Sequence, residues 1–361
     1  MTIIKKEFGK LPDGRVASIY QLTNENGASA HITDFGGAVV RLYMPNRNGQ
    51  FDDVVCGYDN IDSYVNGDGY QGALIGRHGN RIANGRFELD GKEYVLNCND
   101  NNVNHLHGGN CGFSHRLWDA TVEDDALKLH LVSEDGDEGY PGCIDVTVRY
   151  RLTCENGGDA LEIDYTATSD KKTIINLTNH TYFNLGGYAS GNVYTHKLVV
   201  DADSYLPTNE ELIPTGEVKF VGGTPFDFSG KSIGQDINAD NKDIKIAGGY
   251  DHCFVFNGGK VEYSNNPPCR CELYHEESGR HMYVLTDRPC VQVYSANFMY
   301  NPEFPFKGGV KQCKQNAICL ETQSAPDAIN QPSFSGFSDC ILDAGEVFRS
   351  KTIYHFVCNG K

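Results

Sequence analysis

The stretch CIDVTVRYRLTCENGGDALEIDYTATS, residues 143–169, decides the class of fold. Apolar and polar residues alternate on both sides of a glycine-rich turn, and a period of two is typical of half-buried strands. The two halves therefore predict an antiparallel hairpin. The same scheme recurs in residues 115–132 and in residues 85–97, where the dipeptide Asp90-Gly91 is typical of a tight two-residue turn.

The rest of the chain continues the β pattern. Residues 281–298 and 314–323 also predict strands, and the 40 glycines supply many turns. Residues 57–67, GYDNIDSYVNG, suit one short helix. Because no internal repeat and no long linker interrupts the pattern, we predict an all-β protein with a single domain over residues 1–361, a large antiparallel sandwich or barrel. A small N-terminal subdomain within residues 1–60 is the alternative.

An excess of acidic residues limits the partners of the chain. There are 31 basic and 48 acidic residues, and no Lys/Arg cluster offsets the formal net charge of −17. This charge argues against nucleic acid and anionic membranes as partners and favours a neutral ligand. The N-terminal MTIIKKEFGK lacks the apolar core of a signal peptide, and no apolar run approaches the ~20 residues that span a bilayer.

The cysteines indicate the compartment. The 13 Cys have no regular spacing, which predicts free structural thiols rather than a disulfide framework, with zinc binding or redox use as the alternative. Two N-glycosylation patterns begin at Asn176 and Asn179, inside a stretch that we expect to line a cleft, where a glycan would block access. Both observations favour a cytoplasmic protein.

The stretch NLTNHTYFNLGG, residues 176–187, has an unusual polar face. In a strand, alternate side chains share one side, which here carries four hydrogen-bonding groups without formal charge: Asn176, Thr178, His180 and Tyr182. An exposed face usually carries Lys or Glu, so the pattern predicts that this face lines a polar cleft. A lone strand histidine is more often structural, but these neighbours favour a functional His180.

Four further segments place polar residues beside strand or turn signals. They are GRHGNRIANGRF with Asn80 and Arg81, NNVNHLHGGNCGF with His105 and His107, GGYDHCFVF with Asp251, and NAICLETQSAPDAINQP with Glu321. Glu321 follows four apolar residues, and desolvation would raise its pKa and make it a better base near neutral pH. His105 and His107 would share a strand face, which suits a metal pair, one packed and one exposed histidine, or a sugar site.

These stretches together resemble a known family. GRHGNRIANGRF, LHGG followed by GFSHRLW, NLTNHTYFNLGG, YDH and LETQSAPDAINQP are similar, in this order, to the galactose mutarotase (aldose 1-epimerase) family. The match runs from about residue 30 to the C-terminus. The resemblance implies a large antiparallel β-sandwich, the galactose mutarotase-like supersandwich, with an open sugar cleft. It also implies an isomerase that interconverts the α and β anomers of free hexoses such as galactose and glucose, without cofactor or metal.

The resemblance implies roles for individual residues. His180 matches the general acid that protonates the ring oxygen, and Glu321 matches the general base that removes the proton of the C1 hydroxyl. Five further positions match residues that bind the sugar: Asn80, Arg81, His107, Asp251 and Gln292. The chain departs from the family at His78-Gly79, where relatives often carry an apolar or aromatic residue and Ala, and this departure bears on sugar preference.

Three alternatives remain at this point. One is an epimerase for hexose 6-phosphates, which would need additional cationic groups in the cleft. Another is a non-catalytic carbohydrate-binding protein on the same fold. The third is a metal enzyme built on His105 and His107. The expected assembly is a monomer or a homodimer.

Overall fold

The computed structural model of the protein describes residues 1–155, 157–259 and 261–358. Within these ranges the chain forms 27 strands and two short α-helices. The first strands are β1 (Thr2–Lys10), β2 (Val16–Thr23), β3 (Ser29–Thr33), β4 (Val39–Pro45), β5 (Phe51–Asp53), β6 (Leu74–Ile75), β7 (Arg81–Ile82), β8 (Arg86–Leu89), β9 (Lys92–Val95), β10 (His105–Leu106), β11 (Asp119–Val122), β12 (Leu127–Ser133) and β13 (Ile144–Thr153). The others are β14 (Asp159–Ser169), β15 (Thr173–Ile174), β16 (Thr178–Asn179), β17 (Lys197–Val200), β18 (Ser204–Leu206), β19 (Lys219–Phe220), β20 (Ser229–Ser232), β21 (Asp251–Val255), β22 (Cys269–His275), β23 (Arg280–Thr286), β24 (Cys290–Tyr294), β25 (Cys319–Gln323), β26 (Ile341–Leu342) and β27 (Val347–Cys358).

The helices are α1 (Ile61–Asn66) and α2 (Lys242–Ala247), each of six residues. Helix α1 lies within residues 57–67, where the sequence predicts one; Asn60 caps it by accepting a hydrogen bond from the backbone N–H of Ser63. Helix α2 was not predicted. Within the described ranges, no helix has the length and apolar character needed to cross a membrane.

Three antiparallel sheets contain most of the strands. The largest has nine strands in the order β11-β12-β13-β14-β27-β23-β22-β17-β20. Strands β1 to β5 form a second sheet in sequential order, and β19-β18-β21-β24-β25 form a third. The predicted all-β, antiparallel fold is therefore confirmed, as are the hairpins β8–β9, β11–β12 and β13–β14.

The turn between β8 and β9 follows from its sequence. Asp90 has φ 53° and Gly91 has φ 75°. Two consecutive positive φ values are what a type I′ turn requires, and this turn matches the twist of the flanking strands. A local sequence signal thus sets the register in which Leu89 pairs with Lys92.

One hydrophobic cluster joins the three sheets. Leu22 of β2, Val146 of β13, Ile163 of β14 and Val291 of β24 are all buried in it. These inward positions alternate with more exposed ones along β13 and β14, as the period of two predicts. The N-terminal sheet of residues 2–53 accordingly packs as part of the main core.

Residues 176–187 do not form the regular strand that their pattern predicts. Only Thr178–Asn179 (β16) pairs as a strand, with β6, and residues 173–185 are all buried. The segment passes between sheets: Phe183 forms bridges with Val55 on one side and with Ile318 on the other. Protein lies on both sides of the segment. The alternation of polar and apolar residues therefore does not separate a solvent-exposed face from a face that packs on the core.

Asparagine side chains complete the hydrogen bonding of this crossing segment. The Asn176 amide donates to the carbonyls of Gly79 and Ser324, and the Asn179 amide donates to Gly72 at 2.8 Å. Asn184 donates to Asn316 at 2.9 Å. Buried carbonyls need such partners, because leaving them unpaired costs about 1–3 kcal/mol each.

Lys307 connects a C-terminal loop to the N-terminal sheet. Its ammonium group donates to Asp53 Oδ2 at 2.6 Å and to the carbonyls of Val40 and Val55 at 2.7 and 2.8 Å. The lysine side chain is 1% exposed and the aspartate side chain 3%. All three ammonium protons therefore have acceptors in a site that excludes water.

Replacing Lys307 by Met should destabilise the fold by about 3–5 kcal/mol, because Asp53 would remain buried without its partner. Urea unfolding followed by circular dichroism measures the loss. The control is Lys245→Met, which removes a pair with Asp240 from a lysine that is 65% exposed and should change the free energy of unfolding by less than about 1 kcal/mol. Equal midpoints for the two variants would contradict the structural role of Lys307.

Candidate active site

A cleft of about 200 Å³ brings together residues that are distant in the sequence. Residues from β7, β10, β21, β24 and β25 and from the crossing segment form its wall. Six of the seven predicted site residues line it: Asn80, Arg81, His107, His180, Asp251 and Glu321. From the polar face predicted for residues 176–187, His180 and Tyr182 line the cleft, whereas Asn176 and Thr178 are buried behind it. That part of the prediction is wrong, since the segment is not a regular strand.

His180 and Glu321 form a close, buried pair. His180 Nε2 lies 3.6 Å from Glu321 Oε1, and the two side chains are 5% and 3% exposed. The backbone N–H of His180 donates to Ala73 at 2.9 Å, and its ring stacks on Tyr182 with centroids 4.8 Å apart. Glu321 is the central residue of β25, all five residues of which are buried. Both groups are thus held on buried, hydrogen-bonded backbone.

Burial controls the protonation of this pair. It raises the pKa of Glu321 well above its usual range, and the nearby Asp251 carboxylate adds to the increase while Arg81 opposes it. Burial also lowers the pKa of His180 to about 4. Both shifts favour the uncharged form of the pair, in which the imidazole is neutral and the proton is on Glu321.

His107 faces the same space with a fixed tautomer. The backbone N–H of Asn80 donates to His107 Nδ1 at 3.1 Å, so the proton of the neutral imidazole sits on Nε2. Burial lowers the pKa of His107 well below its usual value, with His180 and Arg81 adding to the shift. The His107 and His180 rings lie 5.3 Å apart, edge to face. His107 can therefore donate a hydrogen bond from Nε2 into the cleft.

The predicted pairing of His105 with His107 on one strand face is wrong. Strand β10 ends at Leu106, and His107 has φ 52°, which turns its side chain away from the strand alternation. Both ring nitrogens of His105 have partners elsewhere, the Asn97 carbonyl at 2.8 Å and the Tyr140 hydroxyl at 2.6 Å. The HxH pattern therefore does not assemble a metal pair.

A different trio has donor atoms within 4.8 Å of one another: His107, His180 and Glu321. Two histidines and a glutamate form a known type of zinc ligand set. A histidine ligand needs a free lone pair, however, and His107 has none to offer. Its Nδ1 lone pair accepts from Asn80, and its Nε2 carries the proton. This arrangement suits hydrogen bonding to a sugar oxygen better than metal coordination.

The cleft also carries charged and amide groups. Arg81 Nε donates to Asp100 Oδ2 at 2.7 Å, which holds the guanidinium at the cleft. Gln292 Nε2 donates to Asp251 Oδ1 at 2.6 Å. Asp251 lines the cleft, but Gln292 is not among the described residues of its wall. Burial raises the pKa of Asp251, and Arg81 and Gln292 oppose that increase.

Several cleft residues were not found by sequence reasoning. Tyr70 has φ 57° and places its ring 4.6 Å from that of His107, and the Tyr294 ring lies 6.0 Å from that of His180. The glycines flanking Tyr70, in NGDGYQG, were a signal for a close backbone approach, but such runs are common in turns. The other missed residues of the wall include Asp68, Gln71, Phe298, Met299 and Gln312.

Comparison with known proteins places this cleft in context. The family model described as aldose 1-epimerase matches residues 18–355. The chain is 39% identical to the galactose mutarotase of Bos taurus over 357 residues, which cover 99% of each protein. It is 36% identical to the aldose 1-epimerase of Escherichia coli (strain K12) over 352 residues, 96% of this chain and 97% of that one.

Solved structures agree with these sequence relatives. An aldose epimerase homologue from C. elegans superimposes with a TM-score of 0.83 at 27% identity, covering 95% of this chain and 99% of the other. The galactose 1-epimerase of Lactobacillus acidophilus gives a TM-score of 0.82 at 27% identity and covers 99% of both chains. The sandwich and its cleft thus define a carbohydrate epimerase class. Within this class, the chain belongs to the aldose 1-epimerase family.

The low pKa of His180 can be measured directly. Because burial disfavours the imidazolium, we expect His180 to be neutral at neutral pH and to titrate at about 4. Long-range ¹H–¹⁵N spectra recorded across the acid range follow its ring nitrogens, and the His180→Asn variant identifies its signals. Titration of His180 near the ordinary value of about 6.5 would contradict this description of the pair.

Proposed function

We propose that the chain interconverts the α and β anomers of free aldohexoses, galactose and glucose among them, with His180 as general acid and Glu321 as general base. The observation that carries the proposal is the buried pair, with Nε2 and Oε1 3.6 Å apart at the wall of an open cleft. One group that can give a proton and one that can take a proton stand together there. Ring opening of a cyclic aldose requires this combination.

The reaction needs two proton transfers at neighbouring oxygens. Before ring opening, the proton of the pair moves from Glu321 to His180, which leaves an imidazolium and a carboxylate. Glu321 removes the O1 proton, the O1–H electrons form the carbonyl bond, and the bond between C1 and the ring oxygen breaks. The ring oxygen takes the proton from His180 Nε2. The open aldehyde rotates about C1–C2, and the reverse transfers close the ring on the other face.

The proton count of the pair suits this cycle. The pair enters ring opening with one proton on His180 and leaves it with one proton on Glu321, so no proton is exchanged with solvent. Burial raises the pKa of Glu321 and lowers that of His180. After ring opening, His180 is neutral and Glu321 carries the proton, and this is the state that burial of the pair stabilises. The imidazolium, disfavoured by burial, is correspondingly a strong acid toward the ring oxygen.

The other cleft residues bind and orient the sugar in this proposal. His107 donates from Nε2 to the ring oxygen or a neighbouring hydroxyl, and Arg81 and Asn80 bind hydroxyls on the same side. Asp251 accepts from hydroxyls across the cleft. Gln292 lies behind the wall, and its amide holds Asp251 by a hydrogen bond of 2.6 Å.

Buried free thiols such as Cys56 and Cys253 support a reducing compartment, and hence the cytoplasm.

The charges of the cleft favour a neutral sugar over a hexose 6-phosphate. Among the described residues that line it, Arg81 is the one Lys or Arg, and Asp100 already engages its guanidinium. Asp68, Asp251 and Glu321 lie in the same wall. A phosphate group would therefore enter next to acidic side chains and would find, among the described residues of the cleft, no cation that is free of an ion pair.

Removing either member of the pair should abolish most of the activity. We expect His180→Asn and Glu321→Gln each to reduce the mutarotation rate by about 10²- to 10⁴-fold, the usual contribution of one general acid or base. Polarimetry of freshly dissolved α-D-galactose, and then α-D-glucose, measures the rate. His130→Asn and Glu276→Gln, on the outer surface, are matched controls and should leave it unchanged. Normal rates in both cleft variants would refute these roles.

Phosphorylated sugar should compete poorly. We expect glucose 6-phosphate to inhibit galactose mutarotation much more weakly than glucose does, because Arg81, the one Lys or Arg among the described residues of the cleft, is already paired with Asp100. The measurement is a competition assay at matched ionic strength, with inorganic phosphate as the control for general anion binding. Stronger inhibition by glucose 6-phosphate would favour the phosphate-specific alternative. Sugar binding without any mutarotation would favour a carbohydrate-binding protein.

A further inference from the structure

Two residues of β25 contact the two ring nitrogens of His180. Glu321 Oε1 lies 3.6 Å from Nε2, and Cys319 Sγ lies 3.4 Å from Nδ1. The two residues are two positions apart on one strand, so their side chains project from the same face. Cys319 is fully buried, and its thiol contacts the acid of the proposed reaction rather than the cleft. The imidazole thus lies between two neighbouring side chains on one face of a single strand.

The function of Nε2 requires a particular tautomer. Nε2 faces Glu321 and the cleft, so it is the nitrogen that gives and takes the proton during ring opening. It can take a proton in the neutral ring only if its lone pair is free, and the ring proton must then stay on Nδ1. The group next to Nδ1 decides whether that proton has an acceptor. In this structure that group is the Cys319 sulfur.

We propose that Cys319 is a positioning residue, whose sulfur accepts the Nδ1–H of His180 and holds the imidazole in the tautomer that exchanges protons through Nε2. This inference rests on the proposed function of the His180–Glu321 pair. Cys319 itself neither touches the sugar nor takes part in proton transfer.

A thiol differs from the usual partner of a catalytic histidine. A carboxylate at Nδ1 would orient the ring and would also stabilise the imidazolium, which raises the histidine pKa. Burial raises the pKa of Cys319 well above its usual value, so it remains an uncharged thiol. Sulfur in this state is a weak acceptor. It orients the ring while leaving the imidazolium a strong acid.

Two variants of Cys319 separate this role from simple packing. Cys319→Ala removes the acceptor, and we expect kcat for α-D-galactose to fall about 3- to 10-fold, the effect of one modest hydrogen bond, while KM changes little. Cys319→Ser keeps an acceptor at the same place and should recover kcat to within about twofold. Cys56→Ala is the control for volume, because Cys56 is a buried cysteine of the same apolar cluster. It should retain wild-type kcat.

The tautomer supplies a readout that does not depend on catalysis. Long-range ¹H–¹⁵N spectra at neutral pH should show Nδ1 protonated and Nε2 unprotonated in the wild-type protein and in Cys319→Ser, with mixed tautomers in Cys319→Ala. A wild-type ring protonated on Nε2 would overturn the proposal even if no variant folded. So would a Cys319→Ala variant that loses activity with an unchanged tautomer. A protein with the expected tautomer but no mutarotation would instead refute the proposed function.

Discussion

The structure depends on satisfying the backbone of a polar segment that passes between sheets. Residues 173–185 are buried throughout, yet only Thr173–Ile174 and Thr178–Asn179 pair as strands. Asparagine amides and isolated bridges supply hydrogen bonds to the rest of the segment. His180 lies within this segment, and both of its backbone groups are used: its N–H donates to Ala73 and its carbonyl accepts from Gly72. The backbone bonds that join this segment to Gly72 and Ala73 therefore also fix the proposed acid.

Two buried acid–base pairs in this protein are built differently. Lys307 and Asp53 lie 2.6 Å apart, and the ammonium has two further carbonyl acceptors. His180 and Glu321 lie 3.6 Å apart, and Glu321 Oε2 has no hydrogen-bond partner among the described residues. The first pair is saturated and serves stability. The second pair still has an unpaired acceptor, and both of its pKa values are shifted. A substrate hydroxyl can therefore form a hydrogen bond to it and exchange a proton with it.

The hairpins could be predicted because alternation and an Asp-Gly turn are local signals. The proposed acid and base came from the resemblance of the long motifs around His180 and Glu321 to a known family. The pattern of residues 176–187 predicts a strand because alternation shows only which residues are polar. It does not show whether the backbone is paired by a neighbouring strand or by asparagine side chains. Helix α2, capped by Asn241, has only six residues, too few for a helical period to stand out. Nor does a single sequence separate Asp251, which lines the cleft, from Gln292, which holds it.

The ends of the three sheets bear on how this protein avoids aggregation. Strand β1 is a nine-residue edge whose lysines and bulge between Glu7 and Gly9 oppose pairing with a neighbouring molecule. The edges β11 and β20 of the nine-stranded sheet have only four residues each. Strand β25 ends the third sheet, but the crossing segment covers it, with Phe183 bridged to Ile318. The strand that carries Glu321 is thereby closed to intermolecular β-pairing, although it forms the border of its sheet.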